Sequence, residues 1–220
     1  RNTNTELVVP EVVQLHSDNL GPVLILTGLK LNGPYDWHLL ARGLVQLHAH
    51  HGSEFGWDKD NWIGLEPQKN IWCKSWSVFF IQFRLKPKLQ ALEKIGIRLA
   101  QTEHVLIKAE QILTHHNPKP SLVHGDLWSG NIGFTQSGPS IFDPAVYYGD
   151  REVDLAMSRL FGGFSDSFYT HYDSVYPISE GFEQRSVLYN LYHLLNHAYI
   201  FGGRYILESQ NSIRSLLETS

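Results

Sequence analysis

With 220 residues, 42% of them hydrophobic and 18% charged, the chain has enough apolar material for a packed core and too little charge for a disordered segment. Eighteen basic against 22 acidic side chains leave a net charge of -4, which disfavours a phosphate-backbone binder, so no nucleic-acid partner is expected. The lone Cys73 excludes a disulfide-built scaffold, no apolar run approaches the ~20 residues of a membrane helix, and the polar start lacks a signal stretch, so a cytoplasmic protein with no membrane partner is expected.

The first thirty residues read as extended structure. Short apolar runs at 7–10 and 22–26 flank a turn-rich stretch at 17–21. From Asp36 the period changes: Trp37, Leu40, Ala41, Leu44 and Leu47 predict an amphipathic helix ending between His48 and Gly52. A loop follows to Asn70. Residues 76–85 are a strongly apolar, buried segment interrupted at Pro87. Val105, Leu106, Ala109, Ile112 and Leu113 form a second helical face, ended by Asn117-Pro118. Three short strands are expected at 122–124, 131–134 and 140–143, the last two joined by Gln136-Ser137-Gly138. Helices resume at 152–160, 167–172, 185–201 and 206–218. The pattern is one mainly helical unit with a small β element.

The chemistry concentrates in Leu122-Val123-His124-Gly125-Asp126-Leu127-Trp128-Ser129-Gly130-Asn131, followed by Ile141-Phe142-Asp143. Phosphoryl transfer to a hydroxyl needs an aspartate to orient that hydroxyl and take its proton, and oxygen ligands for Mg²⁺. Asp126 and Asn131 stand five apart, the D-x-x-x-x-N spacing of a kinase catalytic loop, and Asp143 ends the next hairpin. Alone, such a short motif matches freely, and its residues would be turn formers. Here the His-Gly prefix, the hairpin and the second acid occur together, which favours catalysis.

At these residues the chain resembles the protein-kinase-like fold and, within it, the fructosamine kinase (ketosamine-3-kinase) family. Aminoglycoside and choline kinases share the H-G-D-x-x-x-x-N loop, whereas Trp128-Ser129-Gly130 is similar to the fructosamine kinases. Phe55-Gly56-Trp57-Asp58-Lys59-Asp60-Asn61, the run Asp143-Pro144-Ala145-Val146-Tyr147-Tyr148-Gly149, and Tyr189-Asn190-Leu191-Tyr192-His193-Leu194-Leu195-Asn196-His197 resemble further family segments. The resemblance implies an α+β, mainly α fold: the C-terminal lobe of a kinase-like fold at 31–220, with a remnant of the N-terminal β lobe and hinge at 1–30. It implies ATP and Mg²⁺ as donor and cofactor. The acceptor would be the 3-hydroxyl of a ketosamine, either a small molecule or a glycated protein side chain, with deglycation following. Asp126 would be the catalytic base, Asn131 and Asp143 the magnesium and nucleotide ligands, and His124 a brace for the loop. Asp154 would accept backbone N–H bonds from the loop. Ile25, Thr27 and Gly28 fall where the hinge would meet adenine, although Thr27-Gly28 departs from the usual acidic residue. Trp128 is either a platform for the sugar or a packing residue under the loop.

A Gly-rich phosphate turn and an ATP-pairing lysine are not in this sequence, whose first lysine is Lys30 and whose only methionine is Met157. The chain alone is therefore expected to be inactive, as a piece of an active parent. Two other readings stand beside the ketosamine kinase: a kinase of another small hydroxylated amine, or a non-catalytic pseudokinase module. The twelve histidines, among them His48, His50, His51, His115 and His116, lack zinc-site spacing and read as solvated helix ends. His193 and His197, four apart on one face, are read as core or substrate-lining residues, and the oligomeric state stays open.

Overall fold

Asp36 opens helix α1 (Trp37–His48) by accepting the Leu39 N–H at 2.8 Å, and Leu40, Ala41, Leu44 and Leu47 are buried on one face. The computed structural model describes residues 5–18 and 21–218; part of the turn read at 17–21 lies outside the described residues. Ahead of α1 runs an antiparallel pair, β1 (Val12–Asp18) and β2 (Gly21–Leu26). The run at 7–10 forms no strand of its own. It adds a single parallel bridge, Val8 to Ser140, at the edge of a later hairpin.

The loop expected at 52–70 contains a small hairpin, β3 (Asn61–Ile63) and β4 (Glu66–Gln68). The apolar segment beyond it is helical throughout. Helix α2 (Trp76–Phe80) passes through a π turn (Ile81–Leu85) into α3 (Lys86–Lys94), so Pro87 does not interrupt the helix. Proline lies in the first turn of α3, where its missing N–H leaves the Phe83 carbonyl without a helical donor; the Arg84 guanidinium donates to it instead, at 3.0 Å.

Helix α4 (Thr102–Leu113) precedes β5 (Ser121–Val123). A 3₁₀ turn (Ser129–Asn131) leads into the hairpin of β6 (Ile132–Thr135) and β7 (Gly138–Ile141). β8 (Tyr147–Gly149) returns to pair with β5. The helices α5 (Glu152–Leu160), α6 (Asp166–Val175), α7 (Phe182–Phe201) and α8 (Arg204–Glu218) complete the chain. Among the described residues the strands thus form four two-stranded ribbons, not one sheet. α7 is the central helix, with Leu188, Tyr189, Leu191 and Leu195 fully buried against Phe79, Phe80 and Leu155 of the same core. No described helix is long and apolar enough to cross a membrane.

Candidate active site

The catalytic loop leaves β5 at Val123 and is held from below by Asp154 of α5. One carboxylate oxygen accepts the His124 N–H at 2.7 Å and the other the Gly125 N–H at 2.8 Å. Gly125 has φ +80, and a Cβ there would stand 2.2 Å from the Ala145 carbonyl oxygen, so only glycine lets the loop pass under this strand. His124 is buried, receives the Asp126 N–H on Nδ1 at 3.3 Å, and donates from Nε2 to the Phe142 carbonyl at 2.9 Å. Burial holds its pKa below the usual histidine value, consistent with a neutral ring joining the loop to the Asp143 segment.

Asp126 and Asn131 meet directly. The Asn131 amide donates to the Asp126 carbonyl at 2.9 Å and to Asp126 Oδ2 at 3.2 Å, and reaches the Asp143 carbonyl at 3.5 Å. Its Nδ2 therefore faces the loop, and Oδ1 is left for another partner. Asp143 is exposed and left-handed, φ +56, a conformation that aspartate tolerates better than most side chains. Burial first, and the Asp143 charge second, push Asp126 up to about 7, against the opposing hydrogen bond from Asn131. A carboxyl poised there can take a proton at neutral pH. The structure thus brings Asp126, Asn131 and Asp143 into one electrostatic neighbourhood. Their oxygen donors fit a hard divalent cation.

The segment after Asp143 is fixed from outside. Asn61 of β3 donates to the Val146 carbonyl at 2.7 Å, and Gln68 of β4 to the Ala145 carbonyl at 3.1 Å. Asn70 donates to Asn61 Oδ1, and the fully buried Arg84 donates to Asn70 Oδ1 at 2.7 Å. Among the described residues Arg84 has no carboxylate at ion-pair distance; its guanidinium lies against the rings of Phe79 and Tyr147, 4.6 and 4.1 Å from their centroids. Two distant motifs of the sequence, at 55–61 and 143–149, are therefore one contact in space.

Trp128 is 37% exposed, and its ring lies over Gly130, where any Cβ would come within 2.2 Å of the indole. It meets Phe161 edge-on at 6.2 Å, and Phe161 in turn packs beside His197. Just after β2, Thr27 donates its backbone N–H to the Glu11 carbonyl at 2.9 Å, so that donor is spent beside the ribbon, while Gly28 stands in open space. Leu31 packs onto Gly133, and a cavity of about 560 Å³ opens there, lined by Leu31, Tyr35, Trp37, Ile132 and Phe134 among others.

Two histidines depart from the sequence reading as solvated helix ends. His48 is fully buried: Arg151 donates to the Tyr172 hydroxyl at 3.0 Å, Tyr172 bonds His48 Nδ1 at 2.7 Å, and His48 Nε2 bonds Asp154 at 3.1 Å. The signal was present, since position 48 continues the 40–44–48 spacing of the apolar stripe. His116 bonds Asp150 at 2.6 Å; with Glu152, the ligand atoms of these three residues lie within 4.8 Å of one another. Arg185 holds Glu152 through two bonds, at 2.6 and 2.9 Å, and the Tyr189 hydroxyl donates to Asp150, so these carboxylates already have protein donors.

A family model described as fructosamine kinase matches residues 2–219. The chain belongs to the fructosamine kinase family. A probable ketoamine kinase of Vibrio parahaemolyticus is 42% identical over 221 residues, covering 99% of this chain and 76% of that protein. Among solved structures, a candidate fructosamine-3-kinase from Haemophilus somnus superposes with a TM-score of 0.91 at 33% identity, over 98% of this chain and 75% of that one. An ADP-bound aminoglycoside phosphotransferase, at 18% identity and a TM-score of 0.57 over 100% of this chain and 77% of its own, shares the kinase-like fold alone. As a fructosamine kinase family member this protein is a phosphotransferase, and its mainly helical fold with small β ribbons is the kinase-like one.

Proposed function

We propose that the protein phosphorylates the 3-hydroxyl of ketosamines with ATP, and so initiates removal of the sugar from the amine. The observation that carries this reading is Asp126, poised near neutrality beside two further oxygen-bearing side chains. The acceptor hydroxyl would lie against Asp126 Oδ1. As its oxygen bonds the γ-phosphorus and the bond to ADP breaks, its proton passes to the Asp126 carboxylate. Asn131 Oδ1 and the Asp143 carboxylate would hold Mg²⁺, which when bound neutralises charge on the phosphate oxygens. His124 and Asp154 hold the loop rather than the substrate. The Thr27 carbonyl, the Gly28 N–H and Ile25 of β2 would meet the adenine edge, and residues 31–220 would act as the catalytic lobe, in the cytoplasm.

Trp128 is the platform for the sugar in this reading, an exposed indole beside the base that can stack on an apolar sugar face and exclude water. Trp128→Ala should raise KM for the ketosamine about tenfold while leaving KM for ATP within about twofold. Steady-state kinetics with unchanged ketosamine KM and kcat would remove the platform. For the function itself, full-length protein is incubated with ATP and N-fructosyl, N-ribulosyl and N-erythrulosyl amines, with choline and kanamycin as comparators. Phosphorus NMR should detect a ketosamine phosphate, followed by release of free amine. Turnover of choline or kanamycin above every ketosamine, or of none of the panel, would overturn the assignment.

A further inference from the structure

Among the described residues, one buried polar atom without a hydrogen-bond partner faces the proposed base. His193, in the middle of α7, has its Nδ1 buried without a hydrogen-bond partner. That nitrogen lies 3.9 Å from Asp126 Oδ1, with the two side chains only 4% and 19% exposed. Asp126 Oδ2 already takes the Asn131 amide. Oδ1, the oxygen assigned above to the acceptor, is the one that faces His193.

The pair is not an ion pair. Burial first, and the neighbouring His197 second, hold the His193 pKa down to about 3, so the ring is neutral at working pH. Nor is it a hydrogen bond, since 3.9 Å exceeds bonding distance. An unpaired buried nitrogen costs free energy unless something completes it. A single hydroxyl oxygen about 2.8 Å from each atom would bridge the 3.9 Å between them, accepting from one and donating to the other. His197 donates from Nδ1 to the His193 carbonyl at 2.8 Å, which fixes the backbone side of this turn but leaves the His193 ring untouched.

We infer that His193 is a second anchor for the acceptor hydroxyl, its Nδ1–H donating to the hydroxyl oxygen while the hydroxyl proton points at Asp126 Oδ1. This rests on the assignment of Asp126 as base and adds to it. The arrangement makes the acceptor position selective: an oxygen that both donates and accepts completes both protein groups, and a carbonyl, which cannot donate to the carboxylate, completes one.

The test uses full-length protein, ATP, N-fructosylglycine and its 3-deoxy analogue, which lacks the bridging oxygen. His193→Leu should lower kcat/KM for N-fructosylglycine about tenfold with KM for ATP within twofold. His193→Asn, whose Nδ2 occupies the place of Nδ1, should restore most of the loss, and His193→Gln, whose amide falls elsewhere, should not. Calorimetric binding should show the leucine penalty with N-fructosylglycine and none with the 3-deoxy ligand. Equal penalties with both ligands, equal behaviour of the asparagine and glutamine variants, or a leucine variant within twofold of wild type would each overturn the anchor. If leucine prevents folding, the asparagine and glutamine pair carries the test alone. Asp126→Asn is measured in parallel. Its inactivity beside an unaffected His193→Leu leaves the base in place and removes only the anchor, whereas an active Asp126→Asn removes the underlying reading.

Discussion

Asp126→Asn should lower kcat by about 10²–10⁴, with KM for ATP within about twofold, and should at the same time make the protein more stable at pH 8. The two effects share one cause. Burial and the Asp143 charge raise the Asp126 carboxyl from 3.8 to about 7, so the folded protein resists ionising it. The sign follows from linkage. A carboxyl whose folded pKa lies above its unfolded value lends stability that is complete below about pH 4 and is lost as pH climbs through 7. Above pH 7 the ionised group costs the folded state about 4 kcal/mol, the order set by ~1.4 kcal/mol for each pH unit between 3.8 and about 7. An amide at 126 carries no such cost. Thermal melts in the absence of magnesium should give coincident midpoints for wild type and variant near pH 4, with the variant several degrees higher at pH 8. Equal melting temperatures at pH 8 would show that the group is not strained, and turnover near that of wild type that it is not the base.

Asp154→Ala should be the most damaging change at this site, costing about 3–5 kcal/mol of stability and most of the activity. The carboxylate accepts the N–H groups of His124 and Gly125 and the ring nitrogen of His48, all within the core. Alanine leaves three buried donors without an acceptor and frees the loop that carries Asp126. Burial alone would raise the Asp154 pKa, but the hydrogen bond and charge of His48 and the contacts to His124 hold it below the ordinary value. Its contribution therefore runs opposite to that of Asp126: present above about pH 4, and lost as acid protonates it. Urea unfolding at pH 7 should show the full loss, shrinking as pH falls below 4. An unshifted unfolding midpoint would mean that the loop is held by other contacts. The two aspartates divide the work, one kept reluctant to ionise and the other kept charged.

Local chemistry and long periodic helices were legible in the sequence. Asp126, Asn131 and Asp143 fall within eighteen residues of one another, so a short stretch of chain reports the relation that the fold realises. α1 and α4 bury one face each, which prints a clear period of 3.6, whereas α5 is buried on all sides from Glu152 to Ser158. The ribbons were harder. β1 exposes Val12, Val13 and Leu15 alike, so no alternation marks it, and β3, β4 and β8 have three residues each, too short for any period to show. Pro87 misled because a π turn and the Arg84 side chain absorb its missing donor, an arrangement that needs the third dimension to be seen. His48 and His116 were misread because abundance suggested solvent, whereas each answers a carboxylate far along the chain, 106 and 34 residues away. The approach of His193 to Asp126 is likewise non-local, and no motif encodes it.

The left-handed backbone at Asp143 has an evolutionary corollary. Glycine adopts that shape more readily than aspartate does. One exchange there would strip away the carboxylate proposed above as a magnesium ligand and leave the path of the main chain relaxed. The same exchange would lift a negative charge from beside Asp126, so a lineage that had lost the enzyme would hold its fold more firmly in alkali than the working one.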